Sequence, residues 1–485
     1  MLILAIDLGT TGNRAIVFDQ EARVVAKSYR EFRQLFPQAE WVEHDPAEIW
    51  ESTRAVIAEA VAQVDAKLIA AVGITNQRET IVSWDPRTRE PLHNAIVWQD
   101  RRTSARCAEI KRQGFEKEIR QRTGLVCDPY FSATKIEWLL QKVPATRRGV
   151  FGTIDSWIIS KLTGGRVYAT DVSNASRTML LNLQECRWDD ELLKYFSVPR
   201  ETLPEVRASS GEFGMLDPGL FGFSAPICGV VGDQQGAMFA QGCYEPGIIK
   251  NTYGTGLFLM MNTGGAPRIS EHLLSTIAWQ IGDRVDYALE GSVFVGGAAI
   301  QWLRDQLQIV TASHETESLA ASLSSNDGVY FVPALTGLGA PHWDADARGT
   351  ILGLTRATTR AHLARAALEA IAYQTRDLVD TMCAQLDTPL RKLQVDGGAC
   401  ANNFLMQFQA DILGVPIERP AMIEMTALGA AGLAGLHAGV WSNPSDFLSH
   451  RVVERVFQPA MAGPLRESLY TKWKEAVVRS RGWAT

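Results

Sequence analysis

Three short turns rich in glycine and hydroxyl side chains, spread over the whole chain, constrain its fold most strongly. They are Asp-Leu-Gly-Thr-Thr at 7–11, Thr-Tyr-Gly-Thr-Gly at 252–256 and Asp-Gly-Gly-Ala at 396–399, and each follows an apolar run. Glycine lets a backbone approach a phosphate closely, and Thr hydroxyls and free backbone N–H groups can hydrogen-bond the phosphate oxygens. Three such turns, so far apart in one chain, predict a nucleotide held between two lobes.

Two commoner kinds of nucleotide site are excluded by the sequence. The chain contains neither the G-x-x-x-x-G-K-[ST] pattern of a P-loop nor the G-x-G-x-x-G pattern of a dinucleotide-binding fold. A net charge of −6 gives no basic face for nucleic acid. We therefore expect no nucleic-acid partner, although small anionic ligands can still bind locally.

Chain length and cysteine usage indicate the broad class of protein. A chain of 485 residues is too long for a single core and predicts two large domains. The seven cysteines are irregularly spaced, with no C-x-x-C, which is typical of reduced thiols in a cytoplasmic protein. Cys400 directly follows the third candidate nucleotide turn, and an inert thiol and an accessible thiol are the two alternatives there. No signal peptide or membrane segment is expected, and the apolar stretch 427–441 indicates a buried helix.

The two halves of the chain open in the same way. The pattern predicts strands at 2–6, 14–18 and 23–28, followed by a helix that begins after the Asp45-Pro46 capping signal and runs to about residue 64. A second hairpin is predicted from strands at 247–252 and 257–262. This repetition indicates a duplicated α/β domain with a cleft between the copies, and we place the boundary between residues 243 and 244.

Other elements follow from apolar periodicity and turn residues. Further strands are predicted at 68–74, 227–231 and 393–395, and helices at 298–307, 359–386, 402–413, 428–437 and 464–481. The Gly-Asp-Gln-Gln turn at 232–235 follows a predicted strand, so Asp233 should lie at a strand's carboxyl end beside the cleft.

Longer motifs indicate a particular protein family. The three turns resemble the phosphate-1, phosphate-2 and adenosine motifs of the actin- and hexokinase-type ATPases, and the chain resembles the FGGY family of carbohydrate kinases within that superfamily. The likeness covers nearly the whole chain and departs from the family pattern at Leu8, Gly12 and Met425. The stretches that carry it are 73–80, 94–103, 128–132, 170–179, 232–235, 250–256, 300–305 and 397–407.

The resemblance implies a fold and an activity. The fold would be two duplicated ribonuclease-H-like, actin-like ATPase domains around a catalytic cleft. Residues 1–243 would bind a polyol and carry the phosphate-1 motif, and residues 244–485 would carry the phosphate-2 and adenosine motifs. The activity implied is ATP-dependent phosphorylation of glycerol to sn-glycerol 3-phosphate by a cytoplasmic homo-oligomer, a dimer or tetramer. Two alternatives remain: a kinase for a pentulose or another polyol, and a non-catalytic actin-type nucleotide switch or filament protein.

The resemblance also implies which residues bind the polyol. A site for glycerol needs hydrogen-bonding partners for three hydroxyls and an apolar wall for the carbon face. An adjacent Arg–Glu pair is by itself most often a surface ion pair, and a lone Trp is most often a core residue. Within the family motifs they instead become ligands. The implied polyol site consists of Arg78, Glu79, Trp98, Tyr130, Asp233, Gln234 and Phe258.

Catalytic and nucleotide roles are implied in the same way. Asp233 would be the general base that takes the hydroxyl proton, and Asp7 and Asp233 would hold magnesium (Mg²⁺) through waters. Arg14 would either supply charge to the transferring group or brace the hairpin. The implied phosphate contacts are Thr10, Thr11, Gly12, Arg14 and Thr255, and the implied adenosine contacts are Gly297, Gln301, Gly398 and Asn402.

Overall fold

Two large mixed β-sheets, one in each half of the chain, organise residues 1–484, which are the residues that the computed structural model describes. The strands are β1 (Leu2–Leu8), β2 (Gly12–Phe18), β3 (Val24–Glu31), β4 (Glu43–His44), β5 (Ile69–Asn76), β6 (Ile81–Trp84), β7 (Ala95–Ile96), β8 (Val150–Thr153), β9 (Ala169–Asp171), β10 (Leu181–Asn182), β11 (Arg187–Trp188), β12 (Glu205–Arg207), β13 (Ile227–Gly232), β14 (Ile249–Tyr253), β15 (Leu257–Gly264), β16 (Leu274–Ile281), β17 (Arg284–Val293), β18 (Tyr330–Val332), β19 (Thr350–Leu352), β20 (Leu393–Asp396), β21 (Ile417–Pro420) and β22 (Val453–Phe457).

Helices cover both sheets and fill the space between them. They are α1 (Pro46–Val61), α2 (Ser104–Arg112), α3 (Glu116–Thr123), α4 (Ser132–Lys142), α5 (Ile154–Leu162), α6 (Val172–Ala175), α7 (Asp190–Tyr195), α8 (Pro218–Phe221), α9 (Asp233–Ala240), α10 (Gly297–Asp305), α11 (Glu315–Ala321), α12 (Arg360–Leu386), α13 (Asn403–Leu413), α14 (Met425–His437), α15 (Pro444–Ser449) and α16 (Gly463–Ser480).

The two large sheets share one strand pattern. The first has the order β13-β5-β1-β2-β3, in which β13, β5 and β1 are parallel and β2 and β3 continue antiparallel. The second contains the run β21-β20-β14-β15-β17 with the same directions, extended by β16 and β22 at its edges. The predicted duplicated α/β architecture is therefore confirmed, and the predicted boundary lies in the connection between α9 and β14.

Local sequence rules explain most of these elements. The side chain of Asp45 accepts a hydrogen bond from Ala47 N at 2.8 Å and Pro46 occupies the first helical turn, so α1 begins where the capping signal predicted. The turns at 7–11 and 252–256, which we call the first and second phosphate-type turns, each join the two strands of a hairpin. One backbone hydrogen bond closes each turn. Gly9 N donates to Gly12 O at 3.1 Å, and Gly254 N donates to Gly256 O at 2.9 Å.

Helix α14 belongs to the second half of the chain but packs on the first sheet. It lies with α9 in the apolar layer between the two large sheets, where Met238, Ala430 and Leu433 are fully buried. The helix approaches the sheet so closely that a Cβ at Gly73 would come within 2.3 Å of the Ala430 carbonyl oxygen. The stretch 427–441 is thus a buried helix and a following turn, as its composition predicts.

The thiols are mostly sequestered. Five of the seven cysteines are buried, and Cys400 is only 3% exposed. Burial raises the pKa of Cys400 to about 12, so the inert alternative is the one that the structure supports. No helix in residues 1–484 is both long and apolar enough to cross a membrane.

Candidate active site

The carboxyl ends of three parallel strands meet at one edge of the first sheet. Asp7 on β1 is in register with Thr75 on β5, and Gly232 at the end of β13 is in register with Asn76 at the end of β5. Asp7, Arg78 and Asp233 are therefore brought to the same edge. Open α/β sheets bind ligands at this edge, outside the carboxyl ends of their strands.

Asp233 opens α9 directly after β13, as predicted, and remains accessible. Its side chain is 33% exposed, and its carboxylate oxygen Oδ1 lies 3.2 Å from Nε of Arg78. The same oxygen accepts the backbone N–H of Gln234 at 2.7 Å. Burial raises the pKa of Asp233, while the Arg78 charge opposes that rise. The result is an oriented carboxylate with increased basicity at the cleft.

Arg78 and Glu79 belong to a buried cluster of four charged side chains, which we call the charge quartet: Arg78, Glu79, Arg177 and Glu290. None of the four is more than 3% exposed. Arg78 Nη1 lies 2.5 Å from Glu290, Arg177 Nη2 lies 2.9 Å from Glu290, and Arg177 Nε lies 2.6 Å from Glu79. The two positive and two negative charges balance, so no net charge is buried.

The two arginines of the quartet keep Glu290 ionised. Burial acts to raise the pKa of Glu290, but Arg177 and Arg78 outweigh it and hold the pKa at about 2. Burial dominates at Glu79 and raises its pKa despite the same two arginines. Arg78 is therefore held on one side by a fully ionised carboxylate and faces Asp233 on the other.

Arg177 and Glu290 are not among the site residues that the sequence predicts. Arg177 follows α6 within the family-like stretch 170–179, so that stretch already marked its neighbourhood. Glu290 is a lone charge among the otherwise apolar central residues of β17. Charged residues are almost never fully buried unless paired, so its position was the available signal.

An aromatic wall stands beside the quartet. The Trp98 and Tyr130 rings meet edge to face with centroids 5.6 Å apart, and the Tyr130 hydroxyl lies 3.4 Å from Arg78 Nη2. Phe258 lies on β15 two residues before Met260, which pairs with Glu290 on β17. Alternate residues of a strand share a face, so Phe258 lies on the same side of the second sheet as Glu290.

Gln234 is engaged differently from the other implied polyol residues. Its side-chain oxygen accepts a hydrogen bond from Lys250 Nζ at 2.5 Å, and Lys250 also donates to Thr252 Oγ1 at 2.8 Å. Lys250 is fully buried, and burial lowers its pKa, while Asp396 and Asp233 act to raise it. Lys250 is a second cation at the cleft. It is not among the predicted site residues, although it begins the family-like stretch 250–256.

The first phosphate-type turn carries its predicted residues at the cleft edge. Asp7 is 7% exposed and forms an ion pair at 3.2 Å with Arg14, its cross-strand neighbour on β2, and the Arg14 side chain stays 47% exposed. Thr11 is exposed at the tip of the turn. A Cβ at Gly12 would come within 2.8 Å of the Tyr29 ring, so close packing against β3 accounts for glycine there.

The pair Asp7 and Asp233 has the donor chemistry for Mg²⁺. Burial raises the pKa of Asp7, and the charge of Asp7 is one of the influences that raise the pKa of Asp233. Two carboxylates that repel each other at a cleft suit a divalent cation that keeps most of its waters. Among residues 1–484 no group of three or more His, Cys, Asp or Glu side chains is arranged as a closed metal site.

The implied adenosine residues line one cavity of about 530 Å³ in the second half of the chain. Gly297, Gln301, Gly398 and Asn402 contribute to it together with Thr255 of the second phosphate-type turn. A Cβ at Gly398 would have no atom within 4 Å, so this backbone leaves the cavity open. The apolar part of the wall consists of Ile300, Leu368, Ile371 and Leu405.

The loop before α11 and the first turn of α11 also line this cavity, and no sequence motif predicted their contribution. Ser313, His314, Thr316 and Glu317 lie along its rim. Asn402 Nδ2 lies 3.4 Å from Thr316 Oγ1, which ties the first turn of α11 to the start of α13. The cavity thus combines an apolar slot with a polar rim, as a nucleoside requires.

Known proteins resemble this chain over its whole length. The family models of the FGGY carbohydrate kinases match residues 2–240 (N-terminal domain) and 249–438 (C-terminal domain). Glycerol kinase 2 of Thermotoga maritima is 55% identical, and glycerol kinase of Symbiobacterium thermophilum is 54% identical, each over 99% of both chains. The crystal structure of Plasmodium falciparum glycerol kinase with ADP superposes with a TM-score of 0.95 at 36% identity, covering 99% of this chain and 98% of that one.

Proposed function

This chain belongs to the FGGY family of carbohydrate kinases, and we propose that it transfers the γ-phosphoryl group of ATP to glycerol, giving sn-glycerol 3-phosphate and ADP. The observation that carries the proposal is Asp233. It is a partly exposed carboxylate at the ends of the parallel strands, oriented by Arg78 at 3.2 Å and made more basic by burial. A general base needs this combination of access, orientation and raised pKa.

The polyol would lie between the charge quartet and the aromatic wall. Glu79 would accept a hydrogen bond from a polyol hydroxyl, and Arg78 would donate one. Trp98 and Phe258 would cover the carbon face of the polyol. Asp233 would accept the proton of the hydroxyl that attacks. A small polyol fits a site bounded by these close, buried groups, whereas a longer sugar would need a wider wall.

The nucleotide would lie across the cleft. Gly297, Gln301, Gly398 and Asn402 would surround the adenosine, and Thr10, Thr11, Gly12, Arg14 and Thr255 would hold the phosphates. Lys250 would add positive charge near Asp233. Asp7 and Asp233 would hold Mg²⁺ through waters, and the metal supplies charge neutralisation on the phosphate oxygens when bound. The predicted cytoplasmic location and dimeric or tetrameric state stay predictions.

Steady-state ADP formation with one polyol at a time tests the proposal. With ATP and Mg²⁺, we expect ADP to form rapidly with glycerol and slowly with xylulose, gluconate or no polyol. ADP formation that ignores the polyol would favour the nucleotide-switch alternative, and preference for a pentulose would favour another kinase of the family.

A variant pair makes the test specific to the base. Asp233→Asn keeps the side-chain shape and should lower kcat by about 10²- to 10⁴-fold, the range for loss of a general base. Asp283→Asn, at an exposed position in the turn between β16 and β17, is the matched control and should leave kcat unchanged. Equal kcat values for the two variants would remove Asp233 from the catalytic role.

A further inference from the structure

A closed set of hydrogen bonds joins the first phosphate-type turn to the aromatic wall. Trp98 contributes two of them: its indole Nε1 donates to Thr10 Oγ1 at 3.0 Å, and its backbone N donates to Thr80 Oγ1 at 3.2 Å. One residue of the polyol wall is therefore bonded both to the phosphate turn and to the segment that carries Arg78 and Glu79.

The other bonds close the circuit. Thr80 Oγ1 donates to Gln77 Oε1 at 2.9 Å, and Gln77 Nε2 donates to the Gly9 carbonyl oxygen at 3.0 Å. Gly9 precedes Thr10, so Gly9, Thr10, Gln77, Thr80 and Trp98 form a closed circuit, which we call the turn–wall ring. Gln77 is 2% exposed and Thr80 is 0% exposed, so water cannot replace either partner.

The direction of each bond in the ring is fixed. The Thr80 hydroxyl has a single hydrogen, which goes to Gln77, and its lone pairs accept the Trp98 N–H. The Gln77 amide must then present its oxygen to Thr80 and its NH₂ group to Gly9. Reversing any one bond would leave a buried donor or acceptor unpaired, so the ring has one arrangement.

A second circuit holds the Gln77 amide in this orientation. Gln34 Nε2 donates to the Thr10 carbonyl oxygen at 3.0 Å, and Gln34 Oε1 lies 2.7 Å from His44 Nε2. His44 Nδ1 lies 3.5 Å from Gln77 Nε2. These contacts are satisfied together when neutral His44 carries its proton on Nε2, donates to Gln34 and accepts from Gln77.

The polyol residues lie inside the ring's own segment. Arg78 and Glu79 are the two residues between Gln77 and Thr80, and Thr80 N donates to the Arg78 carbonyl oxygen at 2.7 Å. Glu79 adopts a positive φ of 61°, which non-glycine residues rarely do without support from their surroundings. The ring therefore fixes the ends of the segment whose side chains would contact glycerol.

We propose that Gln77 and Thr80 are positioning residues that couple the polyol wall to the phosphate turn, so that filling either substrate site stabilises the other. This inference rests on the proposed function. In the proposed site, neither Gln77 nor Thr80 contacts a substrate. Both act through Trp98, Arg78 and Glu79 on one side and through Gly9 and Thr10 on the other.

Thr80→Val isolates the ring because it keeps the shape of the side chain and removes both hydroxyl bonds. The Trp98 N–H and Gln77 Oε1 are then left unpaired unless the wall moves away from the turn. We expect kcat/KM to fall by about 5- to 100-fold for glycerol and for ATP alike, the range for an unsatisfied buried group. Both KM values should rise, because both sites lose their positioning.

Two controls separate positioning from stability. Thr80→Ser retains the hydroxyl and should restore both KM values to near the native ones. Thr146→Val removes another fully buried hydroxyl, one that donates to Leu139 O at 3.0 Å and Val143 O at 2.8 Å after α4. It should lower Tm without changing either KM.

Breaking the ring elsewhere gives an independent test should Thr80→Val fold poorly. Gln77→Met has a similar shape and removes the bonds to Thr80 and Gly9, so it should raise both KM values in the same way. The double variant should cost no more than the worse single variant, because one broken ring cannot be broken twice.

Calorimetry measures the coupling directly. Glycerol should bind the native protein more tightly when a non-hydrolysable ATP analogue is present, and Thr80→Val should abolish that difference. Native KM values in Thr80→Val or Gln77→Met, a change confined to one substrate, or equal behaviour of Thr80→Val and Thr80→Ser would overturn the inference. Failure of the proposed function is distinguishable, since the native protein itself would then form no ADP with glycerol.

Discussion

Replacing Glu290 by Gln tests what holds Arg78 in place at the proposed polyol site. Glu290 is fully buried and accepts hydrogen bonds from both Arg78 and Arg177, at distances of 2.5–3.2 Å. Gln keeps the shape but removes the negative charge, which leaves the quartet with an uncompensated buried positive charge. Breaking a buried ion pair in this way costs about 3–5 kcal/mol. For a cooperative unit the size of one half of this chain, that loss lowers Tm by roughly 6–20 °C.

The substitution should also loosen Arg78 and so raise KM for glycerol while leaving KM for ATP near its native value. Thermal unfolding and steady-state kinetics on the same preparation measure both effects. Glu59→Gln is the matched control, because Glu59 pairs with Arg30 on the surface with 45% of its side chain exposed. Such pairs contribute about 0–1 kcal/mol. A Glu290→Gln variant with the Tm and glycerol KM of Glu59→Gln would refute the positioning role of the quartet.

Burial lowers the pKa of His44 from 6.5 to about 4, so between these pH values the unfolded chain binds a proton that the folded chain does not. The free energy of unfolding should therefore fall by up to about 3 kcal/mol as the pH drops through this window. In Tm measurements from pH 7 to 4, His44→Gln should remove this part of the pH dependence. The Val side chain of Gly398→Val should project into the open cavity and weaken ATP binding by about 1–3 kcal/mol, with the KM for glycerol unchanged. Gly265→Val, at an exposed position, is the control and should leave both KM values native. An unchanged KM for ATP in Gly398→Val would place the adenosine elsewhere.

Features set by neighbouring residues could be predicted from the sequence. The Asp45-Pro46 cap located the start of α1, and the glycine-rich turns at 7–11 and 252–256 located the two hairpins. Periods of two and 3.6 residues placed the strands and helices around them to within a few residues. The duplication followed because the same local pattern occurs twice.

Features that depend on distant pairing could not be predicted. The Arg78–Glu290 pair spans 212 positions. The apolar neighbours of Glu290 indicate that it needs a buried partner, but nothing local identifies Arg78 as that partner. The composition of α14 indicated burial, but nothing in it said that this helix packs on the first sheet rather than the second. The turn–wall ring depends on where Trp98, Gln77 and Gly9 meet in space, which no local pattern encodes.

The most direct test of the central claim is the stoichiometry of the reaction. With ATP, Mg²⁺ and glycerol, the native protein should form one molecule of glycerol 3-phosphate for each molecule of ADP, as measured by phosphorus NMR, and Asp233→Asn should suppress both products together. ADP that accumulates without phosphorylated glycerol, or at the same rate when glycerol is omitted, would contradict the assignment of the cleft as a polyol kinase site.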